Sequence, residues 1–346
     1  MTTRFQPVPM THRRSDGAWP LAGSRHVWWE AGTAIRDGCR AEYLRAGEMD
    51  PGLCQRLSAR RADLCGLALD RPRIMGILNV TPDSFSDGGR HQGPEAALAR
   101  ARVMAQEADI LDIGGESTRP GADDVPEGEE IARTAPVIRA LRAAGIANPI
   151  SIDTRKARVA AAALEAGADI VNDVTALRFD PDMARVVAEA GAPVVLMHSL
   201  ADPRTMNDHA SYRDVVAEVH EHLAERIEAA LAAGIAQDRI ITDPGIGFAK
   251  TAAHNLALIR DLAAFHDLGC PVLLGASRKR FIGEIGGADR APERMAGSVA
   301  VALAGAAAGA QILRVHDTYE TRQALRLWQA LAGDNEKDGN GAEHDA

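Results

Sequence analysis

Short apolar runs recur along the chain from residue 74 onward, and most of them end beside a polar side chain. We predict that eight of these runs are β-strands, at residues 74–80, 110–113, 150–153, 170–172, 194–198, 240–243, 272–275 and 312–315. Alanine-rich stretches with helical spacing lie between them, for example at 157–166 and 212–233. Strands alternating with helices are typical of a parallel sheet that is covered by helices.

Six glycines stand shortly before predicted strands, where the preceding helix would end. They are Gly145, Gly167, Gly191, Gly234, Gly269 and Gly309. A helix commonly ends on a residue with left-handed backbone, which glycine adopts without a steric penalty. The glycines therefore support the predicted boundaries between helices and strands.

Eight strand-and-helix units in about 260 residues predict an α/β protein with a (β/α)8 TIM barrel, over residues 71–332. A doubly wound open sheet is the alternative. It would have fewer strands and a G-x-G-x-x-G loop after the first one. Gly76 lies inside the first predicted strand, and no such motif opens the following helix. The barrel is therefore favoured.

Two segments lie outside this pattern. Residues 1–70 form a predicted N-terminal appendage that contains three of the four tryptophans, Trp19, Trp28 and Trp29. We expect these tryptophans to bury apolar surface against the barrel and to close its N-terminal end. Residues 333–346 are polar, acidic and glycine-containing, which predicts a disordered C-terminal tail.

Composition narrows the class of protein. Hydrophobic residues make up 46% of the chain and charged residues 25%, as in ordinary globular proteins. No apolar run has the length of a membrane span, and no signal peptide is recognisable, so we expect a cytoplasmic protein without a membrane partner. The four cysteines are scattered, which fits a reducing compartment. The net charge of −9 disfavours a nucleic-acid partner.

The active sites of such barrels lie at the C-terminal ends of the strands. The side chains predicted there are Asn79, Asp112, Asp153, Asn172, Met197, His198, Asp243, Arg314 and His316, together with the loop 277–280. Each has a structural explanation when taken alone: Asn79 could be a turn residue and Asp153 a helix cap. A ring of such residues around one end of the barrel indicates a ligand site.

Asp153 and Asp243 form the sharpest pair in this ring. Two carboxylates can act as acid and base, bind a metal, or accept hydrogen bonds from a ligand with several N–H groups. Asn172 both donates and accepts. This mixture suits the 2-aminopyrimidinone edge of a pterin, whereas no histidine–carboxylate spacing supports a metal between the two acids.

Cationic residues stand near the last two strands. Only four of the 39 lysine and arginine residues are lysine, yet Lys279 lies between two arginines. A lysine kept among arginines suggests a requirement for a compact point charge, although drift on an exposed loop would also explain it. Arg314 and His316 follow the last strand, where barrels commonly bind phosphate, and they suit a pyrophosphate group.

Two connections are unusually long and rich in Gly, Ser, Thr and Pro, at residues 80–93 and 114–126. Long connections in compact domains are commonly functional. We expect these two loops to cover the site.

Four motifs carry a resemblance to a known family: residues 79–89 (NVTPDSFSDGG), 115–121 (GESTRPG), 243–245 (DPG) and 277–279 (SRK). Residues 74–332, about three quarters of the chain, resemble dihydropteroate synthases. These barrel enzymes join a pterin pyrophosphate to p-aminobenzoate with loss of pyrophosphate. The resemblance implies that activity, a place in folate biosynthesis, a Mg2+ cofactor and a homodimer.

The resemblance also implies roles for individual residues. Asp153, Asn172, Asp243 and Lys279 would bind the pterin with Met197 nearby, and Asp112 would be a further substrate-binding residue. Asn79 would help to bind Mg2+ and pyrophosphate, and Arg314 and His316 would bind pyrophosphate. Thr118, Arg119 and Pro120 would build the p-aminobenzoate pocket together with Phe248. The implied catalytic residues are Asp87, which would stabilise positive charge at the reacting carbon, Arg119 and Lys279.

Other readings of the same barrel stay open at this stage. A pterin-binding methyltransferase domain shares the barrel and the pterin acids but would not need the loop arginine or the Ser277–Lys279 run. A catalytically silent paralogue would keep the fold and bind pterin only. Arg280 stands where many relatives have a serine that contacts the benzoate carboxylate, and its guanidinium could replace that contact.

Overall fold

The computed structural model describes residues 3–12, 16–36, 39–80, 93–116, 124–199 and 210–333. Its N-terminal elements are β1 (Thr3–Pro7), β2 (Trp19–Pro20), β3 (Trp28–Trp29), β4 (Ala31–Arg36), β5 (Cys39–Arg45) and helix α1 (Pro51–Ser58). Strands β1, β4 and β5 form an antiparallel sheet in the order β1-β4-β5, and β2 pairs with β3. The C-terminal tail, residues 334–346, lies outside the described residues.

The central sheet has eight parallel strands. They are β6 (Arg73–Asn79), β7 (Ile110–Gly114), β8 (Ile150–Asp153), β9 (Ile170–Asp173), β10 (Val194–Met197), β11 (Ile240–Asp243), β12 (Leu273–Leu274) and β13 (Ile312–Val315). Their order is β11-β10-β9-β8-β7-β6-β13-β12. A parallel bridge between Thr242 and Val272 joins the two ends of this order, so the sheet closes into a barrel. The predicted (β/α)8 barrel is thus confirmed.

Helices follow the strands along the chain. They are α2 (Gly93–Glu107), α3 (Glu127–Ala143), α4 (Ala157–Glu165), α5 (Met183–Ala190), α6 (Val215–Ala232), α7 (Ala252–Arg260), α8 (Arg280–Gly286), α9 (Met295–Ala307) and α10 (Thr318–Ala332). The six glycines expected at the helix ends all have positive φ, between 61° at Gly191 and 110° at Gly167. Of the helices in the described ranges, none is both long enough and apolar enough to cross a bilayer.

The floor of the barrel is closed by two leucines that precede β6, the first strand of the barrel. Leu64 and Leu69 are buried in one cluster with inward-facing residues from seven of the eight strands: Met75, Ile110, Ile170, Val195, Ile241, Leu273 and Ile312. The expectation that tryptophans close this end is therefore wrong. Aliphatic side chains fill the narrow floor instead, at the end of the barrel opposite the strand C-termini.

The tryptophans belong to a separate cluster within the appendage. Trp29 is fully buried there with Phe5, Leu21 and Leu57, and Trp328 of α10 packs against the same cluster. Trp19, by contrast, is 43% exposed. The appendage thus contacts the outside of the barrel through a small core of its own.

Polar contacts strengthen this attachment. The guanidinium of Arg4 pairs with Asp214 at 2.9 Å, just before α6. Buried Arg61 donates to the carbonyl oxygen of His266 at 3.1 Å. Both contacts join residues more than 200 positions apart, so the appendage is an integral part of the described fold.

Candidate active site

An ion-pair cluster lies at the C-terminal end of the barrel strands. Arg314 on β13 donates from Nε to Oδ2 of Asp112 and from Nη2 to Oδ2 of Asp153, both at 2.6 Å. The Nδ2 atom of Asn172 lies 3.4 Å from each carboxylate oxygen of Asp112. The four side chains come from β7, β8, β9 and β13, whose parallel ends meet on one face of the barrel.

One carboxylate oxygen of Asp153 has no partner among the described residues. Its Oδ1 atom is buried and accepts no hydrogen bond from any described residue. Burial raises the pKa of Asp153 to about 7. The positive charge of Arg314 lowers this pKa only in part, and the negative charge of Asp112 raises it. A buried acceptor without a partner is costly, so this atom is suited to receive an N–H group from a ligand.

Arg314 remains charged in this setting. Burial by itself would lower the pKa of its guanidinium. The carboxylates of Asp112 and Asp153 raise that pKa by more than burial lowers it, so the net shift is upward. The barrel mouth therefore holds a permanent cation between two acids.

Asp243 at the end of β11 is the third acid of the mouth. Burial raises its pKa to about 6, while the backbone N–H of Gly245 and the charge of Lys279 act in the opposite direction. That N–H donates to Oδ1 of Asp243 at 2.7 Å. A Cβ atom built on Gly275 would lie 3.5 Å from Oδ2 of Asp243 and 3.8 Å from Cβ of Arg314, which places both residues around the same space.

Phe248 and Lys279 form a second group beside Asp243. The Nζ atom of Lys279 lies 4.0 Å from the centroid of the Phe248 ring, which is a cation–π contact. Gly247 has a φ of +79°, and a Cβ atom there would approach Cδ of Lys279 to 2.9 Å. Glycine is therefore required at this position for both its backbone conformation and the close approach of the lysine.

Asn79, Met197 and His316 complete the predicted ring. A Cβ atom built on Gly114 would lie 3.5 Å from Oδ1 of Asn79 and 3.8 Å from Oδ2 of Asp153, so both oxygens face one small space. Met197 is buried and is the register partner of Asp243. The Nδ1 atom of His316 lies 3.0 Å from Oγ of Ser277.

The remaining predicted site residues, Asp87, Thr118, Arg119 and Pro120, lie outside the described residues. The structure shows Arg280 paired with Glu284 at 3.1 Å, with 82% of its side chain exposed. That pairing offers an alternative to the suggested contact between Arg280 and a benzoate carboxylate.

The stems that flank residues 117–123 are held by a buried network that sequence reasoning missed. The Nζ atom of Lys156 lies 3.0 Å from Oε1 of Glu116 and 2.6 Å from Oε2 of Glu130, and it donates to the carbonyl oxygen of Val125 at 2.8 Å. Arg155 also approaches Glu116, at 3.4 Å. The Lys156 ammonium thus joins Glu116, just before residue 117, to Val125 and Glu130, just after residue 123.

Lys250 was missed as well. It is buried beside Asp243, and its Nζ atom lies 2.9 Å from Nδ1 of His198. The scarcity of lysine, which drew attention to Lys279, applies equally to Lys156 and Lys250. That signal could have found both residues.

The described residues form no complete metal-binding site before substrate is bound. Within the described part of the chain, no three His, Cys, Asp or Glu side chains form a group that could hold one. The oxygen of Asn79 beside Asp153 provides at most a partial ligand set. A cation here would depend on oxygens of the substrate.

The fold and the acid-lined mouth define a pterin-binding barrel enzyme, and the family model described as "Pterin binding enzyme" matches residues 75–316. The dihydropteroate synthase of Neisseria meningitidis serogroup B is 49% identical over 77% of this chain and 94% of its own length. The chain therefore belongs to the dihydropteroate synthase family, whose members are transferases.

Solved structures agree with this assignment. The dihydropteroate synthase of Xanthomonas albilineans with 4-aminobenzoic acid is 52% identical, with a TM-score of 0.74 over 78% of this chain and 97% of that one. The same enzyme in complex with 7,8-dihydropteroate is 50% identical, with a TM-score of 0.71 over 78% and 98%. The Yersinia pestis enzyme in a sulfonamide drug complex is 42% identical, with a TM-score of 0.73 over 78% and 98%.

Proposed function

We propose that the protein condenses 6-hydroxymethyl-7,8-dihydropterin pyrophosphate with p-aminobenzoate, giving 7,8-dihydropteroate and pyrophosphate in folate biosynthesis. The observation that carries this proposal is the set of buried acceptors at the barrel mouth. Asp153 and Asp243 lie on either side of Arg314, and Oδ1 of Asp153 has no partner among the described residues. The structures of relatives with 4-aminobenzoic acid, the second substrate, and with 7,8-dihydropteroate, the product, support this reaction.

The acids would recognise the pterin edge. Its amino and ring N–H groups need acceptors, which Asp153 and Asp243 supply, and its carbonyl group needs a donor. Asn172, whose amide lies beside Asp112, is able to donate and to accept. Met197, buried next to Asp243, would pack against the ring.

The pyrophosphate would bind at the end of β13. Arg314 carries a permanent charge, and His316 lies beside Ser277, whose hydroxyl is a further polar group. Guanidinium groups bind phosphate oxygens in fixed, paired geometry. Arg314 would therefore divide its donors between the pterin acids and the phosphate, which fixes the two ends of the substrate relative to each other.

Asn79 fits a role in holding Mg2+. Its Oδ1 atom faces the same small space as Oδ2 of Asp153, and Mg2+ prefers oxygen ligands from a few protein groups together with substrate phosphates and water. The bound ion would supply charge stabilisation to the departing pyrophosphate. Asn79 would orient that end of the substrate.

The reaction itself places few demands on acid–base groups. Departure of pyrophosphate leaves positive charge at the pterin methylene carbon, and the uncharged arylamine of p-aminobenzoate attacks that carbon and then loses a proton. Lys279 and Phe248 would form one wall for the two rings, and the family resemblance assigns Arg119 and Thr118 to the p-aminobenzoate pocket. Asp87 would stabilise the cation, and closure by the two long loops would exclude water from it.

The family is the basis for the proposed oligomeric state, and the free thiols are the basis for the proposed compartment. Cys54, Cys65 and Cys270 are free cysteines, as is usual in a reducing compartment. A cytoplasmic homodimer is the form that we propose. Light scattering of the purified protein would give about twice the monomer mass of 36.7 kDa if this is right.

Pyrophosphate release tests the proposed reaction. The wild-type protein should release pyrophosphate only when dihydropterin pyrophosphate, p-aminobenzoate and Mg2+ are all present. Release that ignores p-aminobenzoate would indicate hydrolysis instead. Absence of release, together with tight pterin binding, would favour a silent paralogue.

A further inference from the structure

Lys250 ends the loop that follows Asp243, and the proposed reaction gives it no part. Its side chain is buried, with 9% of the residue exposed. The ammonium donates to the carbonyl oxygen of Phe248 at 3.0 Å and contacts Nδ1 of His198 at 2.9 Å. Burial lowers the pKa of Lys250 to about 7, and its amine can donate hydrogen bonds in either protonation state. Its two directed contacts to site-forming segments place it to fix their geometry.

The Nδ1 atom of His198 faces this lysine. Burial lowers the pKa of His198 to about 2, and the charge of Lys250 lowers it further, so the ring is neutral. A neutral ring carries one unprotonated nitrogen, and Nδ1 faces the ammonium. The backbone N–H of His198 in turn donates to the carbonyl oxygen of Asp243 at 3.0 Å. Lys250 thus ties the loop after β11 to the ends of β10 and β11.

The loop between Asp243 and Lys250 needs such a restraint. Gly245 and Gly247 have positive φ, and a Cβ atom at Gly245 would lie 2.0 Å from the carbonyl oxygen of His198. Ala249 also has a positive φ, of 50°, where a side chain is strained. Strained backbone persists only where the surroundings hold it. The contact from Lys250 to Phe248 acts between Gly247 and the strained Ala249.

A purely electrostatic role for Lys250 is the alternative. Among the charges that favour ionised Asp243, Lys279 and Arg314 act more strongly than Lys250 does. Loss of the Lys250 charge would therefore leave the acid with its two stronger cationic neighbours. The directed contact with the Phe248 carbonyl is the feature that these neighbours do not replace.

We infer that Lys250 is a positioning residue: it fixes the backbone at Phe248 and thereby the face of the Phe248 ring against which Lys279 and p-aminobenzoate pack. This inference rests on the proposed function for the identity of the second substrate. Asp153 and Asn172 lie on strands away from that loop, and Asp243 is held by strand β11 as well as by the backbone N–H of Gly245. The inferred effect therefore falls on p-aminobenzoate rather than on the pterin.

The test replaces Lys250 by methionine, which keeps the length and apolar volume of the side chain without its charge. Lys250→Gln serves as a second variant should Lys250→Met fail to fold. Tyr212→Phe is the matched control, because its ring lines the same cluster while its buried hydroxyl has no partner among the described residues. Three quantities are measured: the dissociation constant for the pterin, the KM for p-aminobenzoate, and hydrogen exchange of the backbone at residues 244–250.

We expect Lys250→Met to raise the KM for p-aminobenzoate about tenfold or more, from the loss of the hydrogen bond that Lys250 donates to the Phe248 carbonyl oxygen. Pterin affinity should change less than threefold or so, exchange at residues 244–250 should be faster, and Tyr212→Phe should match the wild type. A folded variant at Lys250 with wild-type exchange and wild-type KM overturns the inference. Equal losses for both substrates overturn it too. If the wild type forms no product, the proposed function fails, while the exchange measurement still decides the positioning role.

Discussion

Arg314 donates to Asp153 at 2.6 Å across the barrel mouth, although the two residues are 161 positions apart and two strands separate β13 from β8. The contact exists only because the sheet closes. It places a permanent cation against an acid that the substrate is proposed to use. The pterin and the pyrophosphate are therefore recognised by one connected group of side chains.

Asp153 should make stability depend on pH. Its pKa in the folded protein, about 7, lies above the ordinary value of 3.8, so the folded state holds its proton more tightly than the unfolded state. The resulting stabilisation is complete below the ordinary pKa and is lost as pH rises through about 7. The free energy of unfolding of the wild type, relative to that of Asp153→Asn, should fall between pH 4 and pH 8. Urea titrations at several pH values measure this difference. Parallel curves of unfolding free energy against pH for the two proteins would show that Asp153 is not the source of the pH dependence.

Lys279→Arg should reduce activity far more than stability. The lysine Nζ atom lies 4.0 Å from the centroid of the Phe248 ring, and its Cδ atom packs closely against Gly247, where an added Cβ atom would approach it to 2.9 Å. A planar guanidinium is broader and binds in different geometry. We expect kcat/KM to fall about tenfold or more, with a change in unfolding free energy below about 1 kcal/mol. Arg280→Lys, on the exposed neighbour, is the control, and wild-type activity in Lys279→Arg would show that any cation suffices.

Truncation should separate the appendage from the barrel floor. Removing residues 1–58 deletes the Trp29 cluster and exposes Trp328, but it keeps Leu64 and Leu69. Removing residues 1–70 also opens the floor, where each lost leucine costs about 2–5 kcal/mol. The shorter truncation should keep turnover with a lower Tm, and the longer one should be less stable still. Equal Tm values for the two proteins would contradict the role of the leucines, and folded protein without turnover would place the appendage in the site.

Sulfonamides should inhibit competitively against p-aminobenzoate and not against the pterin. They present the same aniline nitrogen with an added substituent, so rejecting them would require a bulky element near the pocket. Residues 117–122 read STRPGA, with no inserted aromatic residue. The Yersinia pestis relative has been solved in a sulfonamide drug complex. Steady-state inhibition at several p-aminobenzoate concentrations tests this, and full activity at saturating drug would mean a differently shaped pocket.

The barrel could be predicted from the sequence because its signal is local and repeated. The strands at 150–153, 240–243 and 312–315 have the bounds expected from their apolar runs, and the six glycines end helices as expected. The β12 strand is shorter than expected, Leu273–Leu274, because the ladder there is reduced to a bridge between Thr242 and Val272.

The contacts within the site could not be predicted in the same way. Their partners lie far apart in sequence, such as Lys156 with Glu116 or Lys250 with His198, and no local period encodes them. The floor of the barrel was misassigned for a similar reason. Tryptophans are conspicuous in a sequence, whereas Leu64 and Leu69 become notable only when the strand ends converge around them.

The most direct test follows the amine nitrogen of p-aminobenzoate into product. The purified protein is incubated with dihydropterin pyrophosphate, Mg2+ and 15N-labelled p-aminobenzoate, and the products are separated and weighed by mass spectrometry. The account predicts 7,8-dihydropteroate that retains the label, formed in equal amount with pyrophosphate, and no such product from Asp243→Asn. Pyrophosphate released without labelled dihydropteroate, or unlabelled hydroxymethyl-dihydropterin as the sole product, would contradict it.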